Sequence, residues 1–223
     1  KELSLPDGVE VINAQDIKPV QISWLWKDWL AEGKFQLLAG SPGQGKTTIA
    51  MSFAATVSGG ALWPDGMGID PGNVVIWSAE DDANDTLVPR LIAAGADLSR
   101  CHFIKGTRKN GDIHPFDPAE DIPKIEKLAE KIGRVKLLIL DPVVGTIKGD
   151  SHSNTDVRRG LQPLVDLASN WGAAVLGITH FSKATLGADP ASRVIGSIAF
   201  SAVARGVFVA QKIRDHEGVT KRV

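Results

Sequence analysis

The sequence predicts an α/β protein with a mainly parallel, twisted sheet, and three observations support that prediction. Short apolar runs alternate with helix-like segments along most of the chain. The runs are almost continuously apolar, which is typical of parallel strands buried on both faces. Residues that favour helix starts, and glycines that favour helix ends, flank the segments between them. We therefore expect one sheet with helices packed on both faces.

The elements follow an N-terminal approach segment, residues 1–33, which we expect to pack on the core of a domain that covers residues 34–223. Three tryptophans of this segment are expected to form an apolar lid: Trp24, Trp26 and Trp29. The predicted strands cover residues 35–39, 74–78, 102–105, 137–140, 174–179 and 207–210. The predicted helices cover residues 45–58, 84–95, 119–132, 155–171 and 196–204.

Capping residues locate the helix ends. The second helix should begin at Asp82 or Asn84, the third at Pro118, and the fourth at Asn154 or Thr155. Gly95 and Gly172 stand where two helices should end, because glycine readily adopts the left-handed conformation found there. The residues after 207 predict a C-terminal β-hairpin whose second strand is cut short by the end of the chain.

Composition excludes several classes of protein. The 223 residues carry a net charge of −1, which does not fit a protein that coats duplex DNA through a global basic field. The single cysteine, Cys101, cannot form an internal disulfide and suits a reducing compartment. No signal peptide and no apolar run of membrane-spanning length is present, so a cytoplasmic protein without a membrane partner is expected.

The strongest motif is a P-loop directly after the first predicted strand of the domain. Its pattern is G-x-x-x-x-G-K-[ST], and its residues are Gly40, Ser41, Pro42, Gly43, Gln44, Gly45, Lys46, Thr47 and Thr48. Backbone amides and the helix N-terminus of such a loop surround phosphate oxygens. Lys46 should reach the β- and γ-phosphates, and the Thr47 hydroxyl should bind Mg²⁺. The sequence therefore predicts a site for ATP with Mg²⁺.

Two acids follow apolar strands in the pattern that a phosphate site needs. Asp141 ends the 137–140 run, and we expect its strand to lie next to the P-loop strand and its carboxylate to serve the metal. Glu80 follows the 74–78 run and has the reach to hold a water in line with the γ-phosphate. Asp81 and Asp82, which come next, are predicted to start the following helix. A purely structural, helix-capping role for all three acids remains the alternative.

His180 ends the 174–179 run and could contact the γ-phosphate. Two polar, basic loops at the same edge of the sheet, residues 147–155 and 184–194, suit contacts with the backbone of single-stranded DNA. They lack interleaved aromatic residues, so base stacking is not indicated. Plain solvated loops explain them equally well.

Taken in order, these motifs resemble the RecA-like P-loop ATPases of the RepA type, compact relatives of the DnaB-type hexameric replicative helicases. The resemblance covers about residues 20–214, including the segments VVIWSAEDD, LLILDPV and GITHFSK. It implies a RecA-like fold, a homo-oligomeric ring and single-stranded DNA as a partner. It also implies that Glu80 is the catalytic glutamate and His180 the γ-phosphate sensor.

The resemblance further implies an arginine finger donated by a neighbouring subunit. Arg193 and Arg205 are the candidates, with Arg214 a weaker third. Three functions remain open on the sequence: a ring-forming DNA helicase or translocase, a regulatory ATP-binding module without translocation, and a filament-forming recombinase-like ATPase. All three use the same P-loop, so the motifs do not separate them.

Overall fold

The computed structural model describes residues 9–181, 199–214 and 220–222. Its centre is a six-stranded sheet in the order β10-β3-β9-β8-β4-β5, with every neighbouring pair parallel. The strands are β3 (Phe35–Gly40), β4 (Asn73–Ser78), β5 (Cys101–Phe103), β8 (Val135–Asp141), β9 (Ala174–His180) and β10 (Gly206–Val209). The predicted α/β class with a parallel sheet is confirmed. Within the described ranges no helix combines the length and the apolar character needed to cross a bilayer.

Helices pack on both faces of the sheet. Helix α1 (Lys46–Gly59) lies on one face, in an apolar cluster with Leu38, Ile76 and Ile139. Helix α5 (Asn154–Trp171) lies on the other, where Val157, Leu161 and Leu164 join a second cluster. All seven residues of β8 are buried, as expected for a central strand covered on both sides. The short helix α6 (Ala199–Val203) contacts α5.

The predicted helix over 119–132 is broken. It forms α3 (Pro118–Asp121), a 3-10 turn (Ile122–Ile125) and α4 (Leu128–Ile132). Pro123 lies at the start of the 3-10 turn and has no backbone N–H to donate to a preceding carbonyl, which accounts for the interruption. Pro118 does begin α3, as predicted.

Two other helix starts refine the predictions. Asp82 caps a π-helical turn (Ala83–Leu87) that leads into α2 (Val88–Ala93), so the choice of Asp82 was correct. Helix α5 is capped by Ser153, whose side chain accepts a hydrogen bond from the Asp156 amide. The cap therefore lies one residue before the predicted start at Asn154 and two before the alternative at Thr155. Gly172 ends α5 with φ +60°, as predicted.

In the described residues, three short antiparallel strand pairs accompany the sheet. Strands β1 (Trp24–Trp26) and β2 (Leu30–Ala31) pair near the N-terminus, and β6 (Thr107–Lys109) pairs with β7 (Asp112–His114). Neither pair was predicted. Strands β11 (Lys212–Arg214) and β12 (Thr220–Arg222) pair antiparallel, which confirms the C-terminal hairpin.

The N-terminal tryptophans divide between core and surface. The Trp26 ring is 7% exposed and is stacked between Trp29 and Trp63, with 4.8 Å between ring centroids on each side. Trp29 is 48% exposed, so the expected lid is only partly covered. Residues 9–23, by contrast, are exposed throughout.

Candidate functional site

The carboxyl ends of four adjacent strands form the site. Gly40 at the end of β3 stands opposite His180 at the end of β9, and Ser78 at the end of β4 stands opposite Asp141 at the end of β8. Strand β9 lies between β3 and β8, so the expectation that the Asp141 strand neighbours the P-loop strand is wrong. The crossover from β3 through α1 to β4 passes over the positions of β9 and β8, and the spacing of motifs along the chain does not reveal this. The four strand ends still meet at one edge.

The P-loop has the backbone that its glycines allow. Gly43 and Gly45 have φ values of +73° and +90°, a region that residues with a Cβ atom rarely adopt. Gly45 precedes Lys46 and caps α1 without a side-chain hydrogen bond, so the first amides of the helix are available to a ligand. A cleft of about 370 Å³ opens above them. Its lining residues are Pro42, Gly43, Gly45, Lys46, Thr47, Thr48, Glu80, Asp81, Arg90, Asp141 and His180.

The Lys46 ammonium group lies inside the P-loop. Its Nζ donates to the carbonyl oxygens of Gly40 at 3.1 Å and Ser41 at 3.2 Å, and it lies 3.1 Å from Nδ1 of His180. Burial lowers the pKa of Lys46, while the negative charges of Asp141 and Glu80 act in the opposite direction. An ammonium held by weak carbonyl partners can exchange them for the stronger interaction with phosphate oxygens.

Thr47 and Asp141 form the oxygen pair next to Lys46. The Thr47 hydroxyl donates to Oδ2 of Asp141 at 2.8 Å, and Asp141 is only 3% exposed. Burial raises the pKa of the Asp141 carboxyl, and the Thr47 hydrogen bond opposes that rise. A hydroxyl and a carboxylate are ligands that Mg²⁺ accepts, so the pair fits this ion. The described residues contain no group of three or more His, Cys, Asp or Glu side chains able to hold a metal, so phosphate and water oxygens would complete the shell.

The His180 ring lies between the Lys46 ammonium group and Glu80, the candidate catalytic residue. Its Nδ1 faces Lys46, and its Nε2 lies 3.2 Å from Oε1 of Glu80. A charged ammonium can only donate, so Nδ1 accepts and Nε2 carries the proton that is donated to Glu80. This assignment follows from the hydrogen-bonding partners rather than from visible hydrogens. Lys46, His180 and Glu80 thus form one continuous polar chain along the cleft.

The two acids after Glu80 do different things. Asp82 is a helix cap, as predicted, and accepts from the amides of Asn84 and Asp85. Asp81 does not cap: its Oδ2 lies 2.8 Å from Nη1 of Arg90, and both residues line the cleft. Arg90 was missed in the sequence. Arg90 lies on the first helix after Glu80, which was the available signal in the sequence. Its distance from Glu80 along the chain does not distinguish it from an arginine exposed to solvent.

Gln44 links the P-loop to the C-terminal hairpin. Its Oε1 accepts from the backbone amide of Lys212 at 2.8 Å. Gly40, at the start of the loop, is packed so closely on Ala210 that an added Cβ would lie 2.5 Å from its carbonyl oxygen. Gly40, Ser41 and Gln44 do not line the cleft themselves. Their part in the site is to shape the loop.

The arginine candidates lie elsewhere. Arg205 is exposed and precedes β10, where its amide donates to the carbonyl of Phe35, at the amino-terminal edge of the sheet and opposite the cleft. Arg193 and the loop 184–194 lie outside the described residues. Arg214 belongs to β11.

The loop 147–155 follows β8 at the same edge as the cleft. Lys148 forms an ion pair with Glu120, and Gly149 adopts φ +95° next to Asp156. Arg158 and Arg159, just beyond the loop on α5, are exposed. The loop therefore offers a partly neutralised surface with two accessible cations beside it.

Comparisons with known proteins agree with this geometry. A model of the family described as an AAA domain (AAA_25) matches residues 1–185. The replication factor C large subunit of Archaeoglobus fulgidus is 27% identical over 172 residues, which cover 72% of this chain and 28% of that protein. The chain thus spans less than a third of the length of this relative.

A solved structure is similar over most of the fold. The KaiC-like protein of Pyrococcus horikoshii matches with a TM-score of 0.56 at 20% identity, over 92% of this chain and 86% of that chain. The similarity confirms the RecA-like P-loop fold.

Proposed function

The chain belongs to the AAA domain family of P-loop ATPases, and from this premise we propose that it hydrolyses ATP and acts as a ring-forming DNA helicase or translocase subunit. The observation that carries the proposal is the polar chain from Lys46 through His180 to Glu80, next to the Thr47–Asp141 pair. One cleft thus contains groups suited to bind phosphate, a pair of oxygen ligands suited to Mg²⁺, and the partly exposed carboxylate of Glu80. The unit that performs the reaction is residues 34–223.

In the proposed mechanism Glu80 orients the attacking water. Its carboxylate is 46% exposed in the cleft, so one edge can accept a proton from water while Oε1 accepts from His180 Nε2. His180 is a positioning residue for Glu80, and its Nδ1 responds to the γ-phosphate indirectly, through the Lys46 ammonium group from which it accepts a hydrogen bond. Lys46 and the amides at the start of α1 stabilise the charge that spreads over the transferred phosphoryl oxygens. Mg²⁺, bound next to Thr47 and Asp141, would neutralise negative charge on the β- and γ-phosphates.

The Asp81–Arg90 pair supplies a further cation to the same cleft. Arg90 is anchored by a 2.8 Å contact with Asp81, and a guanidinium at this place can contact phosphate oxygens within the same subunit. We propose that an additional arginine comes from the neighbouring subunit of the ring. Arg193 and Arg205 are the candidates, and the exposed position of Arg205, opposite its own cleft, suits a contact with another subunit.

Single-stranded DNA is the proposed partner of the ring. The similarity to a protein named as a replication factor C subunit supports a role on DNA, and so do the exposed Arg158 and Arg159 near the loop 147–155. Positively charged loops of this kind bind the phosphate backbone without reading sequence. The loop 184–194 is proposed as the second DNA contact.

The test is the steady-state rate of ATP hydrolysis with and without single-stranded DNA. We expect stimulation by DNA, and we expect Arg158→Ala with Arg159→Ala to remove most of the stimulation while the basal rate stays the same. Lys34→Ala, an exposed lysine just before β3 at the amino-terminal edge of the sheet, serves as the control. Slow turnover that DNA does not change would overturn the motor proposal and favour a regulatory ATP-binding module. Negative-stain images with ATP and DNA separate closed rings from open filaments.

A further inference from the structure

A second cleft opens at the edge of the sheet opposite the P-loop. Its volume is about 450 Å³, within the range of small-molecule pockets, roughly 300–1,000 Å³. Lys136, the second residue of β8, lines it, so it lies where the central strands begin rather than where they end. We call it the tryptophan pocket, after Trp24, Trp26 and Trp63 in its lining. Among the described residues, it shares no lining residue with the cleft above the P-loop.

Two of the three tryptophans form a fixed wall of the pocket. The rings of Trp26 and Trp63 are stacked, with 4.8 Å between their centroids. The Trp26 Nε1 group donates to Oδ2 of Asp65 at 2.8 Å, and the Trp63 Nε1 group donates to the carbonyl of Leu25 at 3.0 Å. These contacts hold the β1–β2 hairpin against the segment 62–68. A ligand would find this wall already ordered, so binding costs little conformational entropy there.

Trp24 differs from its two neighbours. It is half-buried and lines the same pocket. Within the described residues its ring pairs with no other aromatic ring, and its indole N–H has no hydrogen-bond acceptor. A half-exposed aromatic ring beside cations is the kind of group on which nucleic acid bases stack. Trp24 is therefore available to a ligand.

The pocket has more hydrogen-bond donors than its own acceptors use. Lys136 is 9% exposed, and its Nζ donates to the carbonyl oxygen of Asp70 at 2.8 Å, which leaves further N–H groups without an acceptor. The Arg134 guanidinium uses only Nη2, which lies 3.3 Å from Oε1 of Glu32. Lys27 is exposed and has no carboxylate partner in the described ranges. A bound anion would supply the missing acceptors.

Gly72 keeps the Lys136 side chain in its place. A Cβ added at Gly72 would lie 2.5 Å from Cδ and 2.6 Å from Cγ of Lys136. Any larger residue would therefore push the Lys136 side chain away from its present position. Because Gly72 does not line the pocket itself, substituting it displaces the ammonium group without removing the charge.

The chemical character of the pocket fits a nucleotide. Lysine and arginine bind phosphate, and the Trp24 ring can stack on a base. Glu32 and Asp70 also line the pocket. Their carboxylates can accept hydrogen bonds from ribose hydroxyls or from the amino group of a base. A plain inorganic anion would use neither the ring nor the acids.

We propose that the tryptophan pocket binds one nucleotide unit, with the base against Trp24 and the phosphate at Lys136 and Arg134. A free mononucleotide and one residue of a single strand share this chemistry. The site goes beyond the proposed ATPase function, because it uses no P-loop residue and lies at the opposite edge of the sheet.

The first test is ¹⁹F NMR of the whole chain labelled with 5-fluorotryptophan and titrated with AMP. The six tryptophans are assigned by single Trp→Phe substitutions. We expect AMP to shift the Trp24 signal and to leave that of Trp171, which lies outside the pocket, in place. Lys46→Ala, which disables the P-loop, should not change the response of Trp24. An unmoved Trp24 signal, or a response that disappears in Lys46→Ala, would overturn the proposal.

The second test measures AMP affinity by calorimetry in chains that also carry Lys46→Ala, so that the P-loop does not contribute. Lys136→Met should weaken binding at least about tenfold, because a hydrogen bond from a charged group is lost. Gly72→Ala should weaken it as well. Trp24→Ala should weaken it more than Trp24→Phe, which keeps a ring for stacking. Lys34→Met, at an exposed lysine outside the pocket, is the matched control and should have no effect.

Circular dichroism confirms that each variant is folded. If Lys136→Met does not fold, Gly72→Ala and the two Trp24 variants decide the question. Natural affinity in Gly72→Ala and Trp24→Ala would contradict the proposal.

A third titration separates the two sources of the nucleotide unit. It uses an oligodeoxyadenylate strand, which keeps the base of AMP. A strand that shifts the Trp24 signal at lower concentration than AMP identifies single-stranded nucleic acid as the ligand, and a response to AMP alone identifies a free mononucleotide. ATP hydrolysis is recorded separately. A Trp24 response without hydrolysis would contradict only the proposed function, and hydrolysis without a Trp24 response would contradict only the second site.

Discussion

His180 lies between Lys46, the proposed phosphate-binding residue, and Glu80, the proposed water-orienting residue. It contacts Lys46 with one ring nitrogen and Glu80 with the other, at 3.1 and 3.2 Å. If its role is to orient Glu80, removing the ring should affect the chemical step more than nucleotide binding. If the ring only filled space, its removal would have little effect on the chemical step or on nucleotide binding.

We expect His180→Ala to lower kcat about 100-fold, since small misplacements of a catalytic group have effects of this size. The Kd for ATP should change much less, because the P-loop amides and Lys46 remain. Steady-state kinetics and equilibrium nucleotide binding measure the two quantities. His114→Ala, at an exposed position in β7, is the matched control. Equal losses in kcat and binding would contradict the positioning role.

Asp141 offers a prediction about pH. Burial raises the pKa of its carboxyl. A carboxyl with a higher pKa in the folded chain favours folding in its protonated form, so this contribution is present at low pH and is lost as the pH rises through the folded pKa. Asn cannot ionise but still accepts from Thr47.

Asp141→Asn should therefore raise the Tm of the nucleotide-free protein at neutral pH, by about 2–4 °C for each kcal/mol gained. The difference should vanish below about pH 4, where the natural carboxyl is protonated as well. Thermal melts over a pH series measure this, with Asp112→Asn as an exposed control. A variant that melts lower than the natural protein at neutral pH would show that burial of the charge is not the dominant effect.

At the level of elements, the strands were predictable and the sheet order was not. Buried parallel strands consist of apolar runs, so each of the six predicted strands overlaps one strand of the central sheet. Their order depends on how each crossover packs, and the insertion of β9 between β3 and β8 leaves no trace in the sequence. Pro123, which interrupts the third helix, was a visible signal. So was the Asn110–Gly111 pair of the β6–β7 hairpin, a favoured two-residue turn.

The P-loop contacts the C-terminal part of the chain at two places: Gly40 packs on Ala210, and Gln44 accepts a hydrogen bond from Lys212. Gln44 holds the amide of Lys212 and so links nucleotide binding to the strand β11. We expect Gln44→Ala to accelerate hydrogen exchange of the Lys212 amide about fivefold, because a hydrogen bond contributes on the order of 1 kcal/mol.

Gln44→Glu keeps an acceptor at the same place and should leave the exchange of the Lys212 amide slow. Mass spectrometry with fragmentation, or NMR, resolves the single amide. Unchanged exchange in Gln44→Ala would mean that the contact does not hold the hairpin.

In the whole molecule, different edges of one sheet carry different features. The cleft above the P-loop lies at the carboxyl ends of the central strands, and Arg205 lies at the opposite ends. A groove lined by Lys105, Lys124, Lys127 and Lys131 lies beside the outer strand β5. The sequence predicted the cleft because its motifs require particular side chains at strand ends. It did not predict Arg90 or the groove, because their residues are distant in the chain and their types are common at any surface.

The most direct test of the central claim compares the natural protein with Glu80→Gln, measuring ATP affinity and the rate of hydrolysis together. Gln keeps the size of the side chain and a hydrogen-bond acceptor for His180 but cannot accept a proton from water. We expect an unchanged Kd for ATP and a loss in kcat of about 100-fold or more. Hydrolysis at the natural rate by Glu80→Gln would contradict it, and Glu80 would then be only part of the helix start.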